Sequence, residues 1–161
     1  MYGGGADTTV SIEYAFFLAM ILFPEVQKKA QAEIDAIVGN DRLPTFADIP
    51  HLPYVNAVVT ELFRWNSVGP LVVGIPHTAV EDGYINGYFV RKGALIITNL
   101  WNMLHDPETY PEPFKLDPER HLGPNLQRDV RKIAFGFDRR FGLLVHCHVS
   151  CCFQYRKSLG S

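Results

Sequence analysis

The stretch PYVNAVVTELFRW, residues 53–65, decides how the rest of this chain reads. Pro53 suits the first turn of a helix, and the residues through Trp65 keep a helical, mostly apolar pattern. Glu61 and Arg64 stand three apart, so they share one helix face and can pair. Val58, Val59, Leu62, Phe63 and Trp65 surround them, which predicts that this face is at least partly buried. Two charges in such a place are costly unless they are paired and further hydrogen-bonded. Taken alone, the pair also reads as an ordinary surface salt bridge, so its meaning rests on what lies outward of it.

Upstream, Gly3, Gly4 and Gly5 lead into a helical pattern from Asp7 to Leu22, polar at first and apolar in its second half. Its apolar run, Tyr14 to Phe23, is about half of the ~20 residues that span a bilayer, and reads as a buried helix end. Nothing there resembles a signal peptide. Pro24 starts a second helix with Glu25 near its positive end. Val26, Ala30, Ile34, Ile37 and Val38 recur at helical spacing, Gln27, Lys28, Glu33 and Asp35 face water, and Gly39 caps the end. A loop through Pro44, Pro50 and Pro53 has room for one short helix around Phe46 to Ile49. Downstream, Asn86-Gly87 between Tyr84-Ile85 and Tyr88-Phe89-Val90 is a two-residue hairpin signal. Ala94 to Thr98 is β-branched enough to predict a strand. Asp106 to Pro124 holds five prolines and little periodicity, which makes it an ordered meander or a loop.

Composition narrows the class further. With 161 residues, 47% of them hydrophobic, and a net charge of −2, the chain is long enough for one globular core. There is no basic excess to attract nucleic acid. All three cysteines fall between Cys147 and Cys152, a poor disulfide framework that fits a reducing compartment better.

Four segments then occur in a telling order: Gly4-Gly5-Ala6-Asp7-Thr8, Glu61-x-x-Arg64, Pro118-Glu119-Arg120, and Phe135-Gly136-Phe137-Asp138-Arg139-Arg140. This series resembles the signature set of the cytochrome P-450 proteins, the haem-thiolate monooxygenases, over residues 1 to about 140. Pro24-Glu25-Val26-Gln27-Lys28-Lys29, Leu52-Pro53-Tyr54, Gly74-Ile75-Pro76-His77 and Trp101-Asn102 agree, in a style closest to fungal microsomal members. The resemblance implies a mainly α fold with a small β region, the incomplete C-terminal part of the cytochrome P-450 fold. It makes Gly4 and Gly5 cofactor-binding, because small residues let the helix backbone approach the haem closely. It makes Asp7 and Thr8 catalytic, a carboxylate beside a hydroxyl that can deliver protons for O–O cleavage. On residues alone, the same Asp and Thr read equally well as helix N-caps. Glu61, Arg64 and Arg120 are implied to form a scaffold triad, and His77 and Arg140 to contact haem propionates. His121 stands where the family usually has Phe, and the expected effect is weaker local packing with the triad kept.

The resemblance stops at the metal. Family members follow the Arg with one residue and then the axial Cys; here Gly142 holds that place, Asp138 replaces an upstream Gly, and Leu144 a downstream one. The thiolate's electron push favours O–O cleavage, and glycine has no ligand atom. Cys147 lies five positions too far along. His146, Cys147, His148, Cys151 and Cys152 carry zinc-type ligands but lack a recognised paired spacing. An out-of-frame or mis-spliced tail accounts for both the lost pattern and the crowded cysteines, which divides the chain into a partial domain, residues 1–140, and a divergent tail, 141–161. The resemblance implies a haem- and iron-binding oxidoreductase, inactive as given. It would be served by NADPH through a separate flavoprotein reductase, with a small organic substrate, at the endoplasmic-reticulum membrane although this fragment has no anchor. The alternatives are a non-catalytic truncated or mis-spliced fragment and a small Cys/His metal-binding protein.

Overall fold

The computed structural model describes residues 6–39, 41–67, 76–124 and 126–134. Five helices occur among them: α1 (Ala6–Leu22), α2 (Pro24–Ile37), α3 (Pro53–Trp65), α4 (Leu100–Leu104) and α5 (Arg131–Ala134), with 3-10 turns at Phe46–His51 and Pro118–His121. Four short strands lie between α3 and α4: β1 (His77–Thr78), β2 (Gly83–Ile85), β3 (Tyr88–Val90) and β4 (Leu95–Ile96). The mainly α architecture with a small β region is the expected one.

Helix α3 is the hub, touching α1, α2, α5 and both 3-10 turns. Its Val55, Val58, Val59, Leu62 and Phe63 are all buried, and they join Ile12 and Ala19 of α1, Val26 of α2, and Leu104, Tyr110, Leu116 and Val130 in one core. Along α2 and its C-cap the inward row runs through buried Val26, partly buried Ala30 and Ile34, and buried Val38, while Ile37 is 48% exposed. The row advances by four residues, the spacing of one helix face. Gly39 follows with φ +77°, the left-handed conformation that ends a helix readily.

Glu33 does not face water as its place in α2 suggested. Helix α3 begins on Pro53 after Leu52, which has no capping side chain, so its next amides have no partner of their own. Glu33 supplies one: its carboxylate accepts from the amides of Tyr54 and Val55, both at 2.9 Å. A negative group at the positive end of the helix is favourable in addition. Glu33→Ala is therefore expected to destabilise the chain by about 1 kcal/mol, and Glu33→Gln by less, because its oxygen still accepts one bond. The shift in urea midpoint measures both.

The strands fall where turn chemistry puts them. Asn86 and Gly87 have φ of 48° and 85°, and the hairpin pairs Gly83 with Val90, Tyr84 with Phe89 and Ile85 with Tyr88. The strand expected over Ala94 to Thr98 is shorter, only Leu95–Ile96, paired with Thr78 and His77. The next position on the partner is Pro76, which has no N–H to give Ile97.

The second half of α1 is apolar all round, but only part of it is buried. Ile12, Ala15, Ala19 and Met20 are buried, whereas Tyr14 and Ile21 are 72% and 77% exposed. The Tyr14–Phe23 run is thus a half-exposed helix end and not a buried one. No single helix among the described residues is long and apolar enough to cross a membrane.

Candidate functional site: a buried charge cluster

The segment between α4 and α5, proline-rich and without periodicity, is an ordered meander. Its Tyr110, Leu116, Pro118 and Arg120 are buried, and it is gathered around the end of α3. What holds it is a cluster of charges. Glu61 and Arg64 are both fully buried and form a bidentate pair, Arg64 Nε donating to Oε2 at 2.9 Å and Nη2 to Oε1 at 2.8 Å. The other three Arg64 bonds reach backbone carbonyls: Leu104 at 3.0 Å, Pro113 at 2.7 Å and Lys115 at 3.1 Å. All five N–H groups of the guanidinium are thereby used. The Tyr110 ring lies 5.5 Å from the guanidinium carbon, and its hydroxyl donates to the Arg128 carbonyl at 3.1 Å.

Arg120 arrives from the 3-10 turn Pro118–His121. Its Nε donates to Glu61 Oε1 at 3.1 Å and to the Asp117 carbonyl at 3.2 Å. Its Nη1 donates to the Pro111 carbonyl at 3.1 Å and to Gln127 Oε1 at 3.0 Å. The Asp117 amide adds a further bond to Glu61 Oε1 at 3.1 Å. So the structure brings Glu61, Arg64 and Arg120 together as one network, and next to it Trp65 Nε1 donates to the Phe114 carbonyl at 2.9 Å.

His121 is part of the network too. Its Nε2 lies 2.8 Å from Glu61 Oε2, with the ring 8% exposed and the carboxylate 0%. The triad is kept with His at this position, and the contact gives His121 a polar role that the sequence reading did not assign. The missed signal was its adjacency to Arg120: a 3-10 turn has three residues per turn, so neighbours point well apart and can reach one group from two sides. Burial works to raise the Glu61 pKa, but the His121 and Arg64 hydrogen bonds, the Arg64 charge and the Asp117 amide outweigh it and hold the carboxyl below its usual range.

An outer ion pair ties α2 to the same 3-10 turn: Lys29 meets Glu119 at 2.8 Å, with both side chains more than half exposed. Arg42 grips Asp48 with two bonds of 2.7 Å, and Thr45 adds its amide and hydroxyl. The Arg42 bond, followed by those from Thr45, holds the Asp48 carboxyl far below the usual carboxylate range. An open cleft of about 510 Å³ runs between α1, the end of α3 and α4, walled by Tyr14, Leu18, Trp65, Trp101 and Phe114. His105 at its edge stacks on Trp101 with ring centres 3.7 Å apart, and burial pushes its pKa down.

Of the remaining expected site residues, Asp7, Thr8 and His77 fall among the described ones. Asp7 and Thr8 lie in the first turn of α1. His77 is exposed on β1 opposite Ile96, and none of the cluster's hydrogen bonds involves it. Gly4, Gly5, Arg140, Gly142 and the Cys/His run 146–152 lie outside the described residues. Among the described residues, no group of three His, Cys, Asp or Glu side chains is placed to hold a metal ion.

A buried network of this kind, tying a helix to a meander, defines a scaffold more than a reaction centre. Comparison with known proteins identifies the scaffold. The Cytochrome P-450 family pattern matches residues 1–141, and the chain belongs to that family. It is 53% identical over 143 residues to Cytochrome P-450 monooxygenase 208 of Postia placenta, an alignment covering 87% of this chain and 28% of that one. With Cytochrome P-450 monooxygenase COX2 of Coprinopsis cinerea it shares 55% identity over 141 residues, covering 84% and 26%. A zebra fish cytochrome P-450 solved with progesterone superposes with a TM-score of 0.81 at 32% identity, covering 96% of this chain and 35% of that one. The chain thus spans between a quarter and about a third of the length of the relatives it matches. Haem is the cofactor the family implies. The position at which the resemblance expects its thiolate ligand is Gly142, which offers no ligand atom.

Proposed function

We propose that this chain carries the scaffold-forming C-terminal part of a fungal haem-thiolate monooxygenase and, with Gly142, lacks the thiolate chemistry itself. The single observation behind this is the complete Glu61–Arg64–Arg120 network in a chain that has Gly142 where the resemblance expects the axial cysteine. In an intact relative the reaction is insertion of one oxygen atom from O₂ into an organic substrate, with electrons from NADPH through a flavoprotein reductase. There Gly4 and Gly5 would give close approach to the haem, Asp7 and Thr8 would manage protons, and His77 and Arg140 would meet propionates. Glu61, Arg64 and Arg120 hold the frame and move no proton. The endoplasmic-reticulum membrane is the address that goes with this type.

Residues 1–140 form the partial domain under this reading, and 141–161 are a tail translated out of frame or across a mis-assigned splice site. The crowding of Cys147, Cys151 and Cys152 after Phe141 favours this over a genuine metal-binding tail. Reading the coding DNA tests it, and stoichiometric zinc in purified protein would support the metal-binding alternative instead. The functional test is a carbon monoxide difference spectrum on the haem-reconstituted, reduced chain beside its Gly142→Cys variant. The chain as given is expected to show no thiolate-type Soret band. Such a band would mean that a cysteine reaches the iron, and the reading of Gly142 would be wrong.

A further inference from the structure

We propose that His121 is a positioning residue, held with the proton on Nε2, that fixes the plane of the Glu61 carboxylate by donating to Oε2. The argument begins with the distribution of donors. Oε1 accepts from Arg64 Nη2, the Asp117 amide and Arg120 Nε, at 2.8, 3.1 and 3.1 Å. Oε2 accepts from Arg64 Nε at 2.9 Å and from His121 Nε2 at 2.8 Å. Without His121, one oxygen of a fully buried carboxylate would take a single bond while the other took three. An ionised carboxylate has about four lone-pair sites and is acceptor-only, so the ring nitrogen facing it must carry hydrogen.

The local fold makes the arrangement two-pronged. Arg120 and His121 are consecutive in one 3-10 turn, and they take different oxygens of the same group. The turn therefore straddles Glu61 and fixes its rotation, and with it the bidentate alignment to Arg64. A phenyl ring here would fill similar space but would leave Oε2 short of a donor.

Two substitutions separate hydrogen bonding from ring packing. His121→Phe keeps the ring and removes the donor; His121→Gln removes the ring and keeps an N–H. In urea unfolding of the full chain, His121→Phe is expected to lower the folding equilibrium constant about tenfold. His121→Gln is expected to recover most of that loss, a rescue that simple space-filling would not produce. In the parent chain, ¹⁵N-detected imidazole spectra should show one slowly exchanging Nε2–H signal that disappears in His121→Gln. Failure of His121→Phe to fold while His121→Gln folds supports the proposal equally. His121→Phe matching the parent overturns it. If both variants fail to fold, the parent spectrum decides: a ring without hydrogen on Nε2, or one sampling both tautomers, overturns it.

Discussion

Glu61→Ala is expected to leave the chain without a cooperative unfolding transition. The carboxylate is fully buried and accepts five hydrogen bonds, two from Arg64 and one each from Arg120, His121 and the Asp117 amide. Removing it leaves two guanidinium groups in one pocket with no anion between them. Breaking a buried charge pair by deleting one partner costs about 3–5 kcal/mol, because the surviving charge stays uncompensated. Here two charges survive, and they repel. A whole domain has only about 5–15 kcal/mol of stability, and this chain leaves much of α1 uncovered among its described residues. Glu61→Gln is expected to do little better: it keeps the shape and one acceptor, but its amide turns a donor toward the donors on the other side. Lys29→Ala is the control, since it breaks an ion pair between exposed side chains that ties α2 to the same 3-10 turn, and such pairs contribute little. Circular dichroism during urea titration measures all three. A Glu61→Ala chain that unfolds like Lys29→Ala would show the cluster to be a bystander.

The same cluster shows where sequence reading succeeds and where physics hides the rest. Glu61 and Arg64 were legible because three residues on a helix make one face. Arg120 came only from the order of motifs along the chain, since no local spacing joins it to Glu61. The bond that His121 makes was not legible, because it depends on how a 3-10 turn meets α3. The carbonyls of Leu104, Pro113 and Lys115 could not be read at all: every residue has a carbonyl, and only the end of α4 and the folded meander aim these at Arg64. Glu33 was misread for a related reason, since its partners are amides of another helix. Asn86-Gly87 was the opposite case, a turn whose left-handed backbone is dictated by two adjacent residues. The strand over Ala94–Thr98 was drawn too long because β-propensity says nothing about Pro76 on the partner.

Arg64→Lys separates charge from geometry, and a loss of about 3 kcal/mol is expected from it although the net charge is unchanged. The guanidinium makes two bonds to Glu61 and three to carbonyls of the residues 104–115, all from one rigid plane. An ammonium is a single point with three donors on a flexible stem. Pointed at Glu61 it satisfies the carboxylate and abandons the meander; pointed at the carbonyls it abandons the carboxylate. In the first case the carbonyls of Leu104, Pro113 and Lys115 lose their donor, and each loss costs about 1–3 kcal/mol where water cannot replace it. Glu61 meanwhile keeps Arg120, His121 and the Asp117 amide. The damage should therefore be local: α3 persists, and the segment 106–124 opens first. Hydrogen exchange tests this directly, with amides of 106–124 losing protection far more than those of α3. Equal loss in both would mean that Arg64 serves the whole core, and no loss in either would mean that its charge alone suffices.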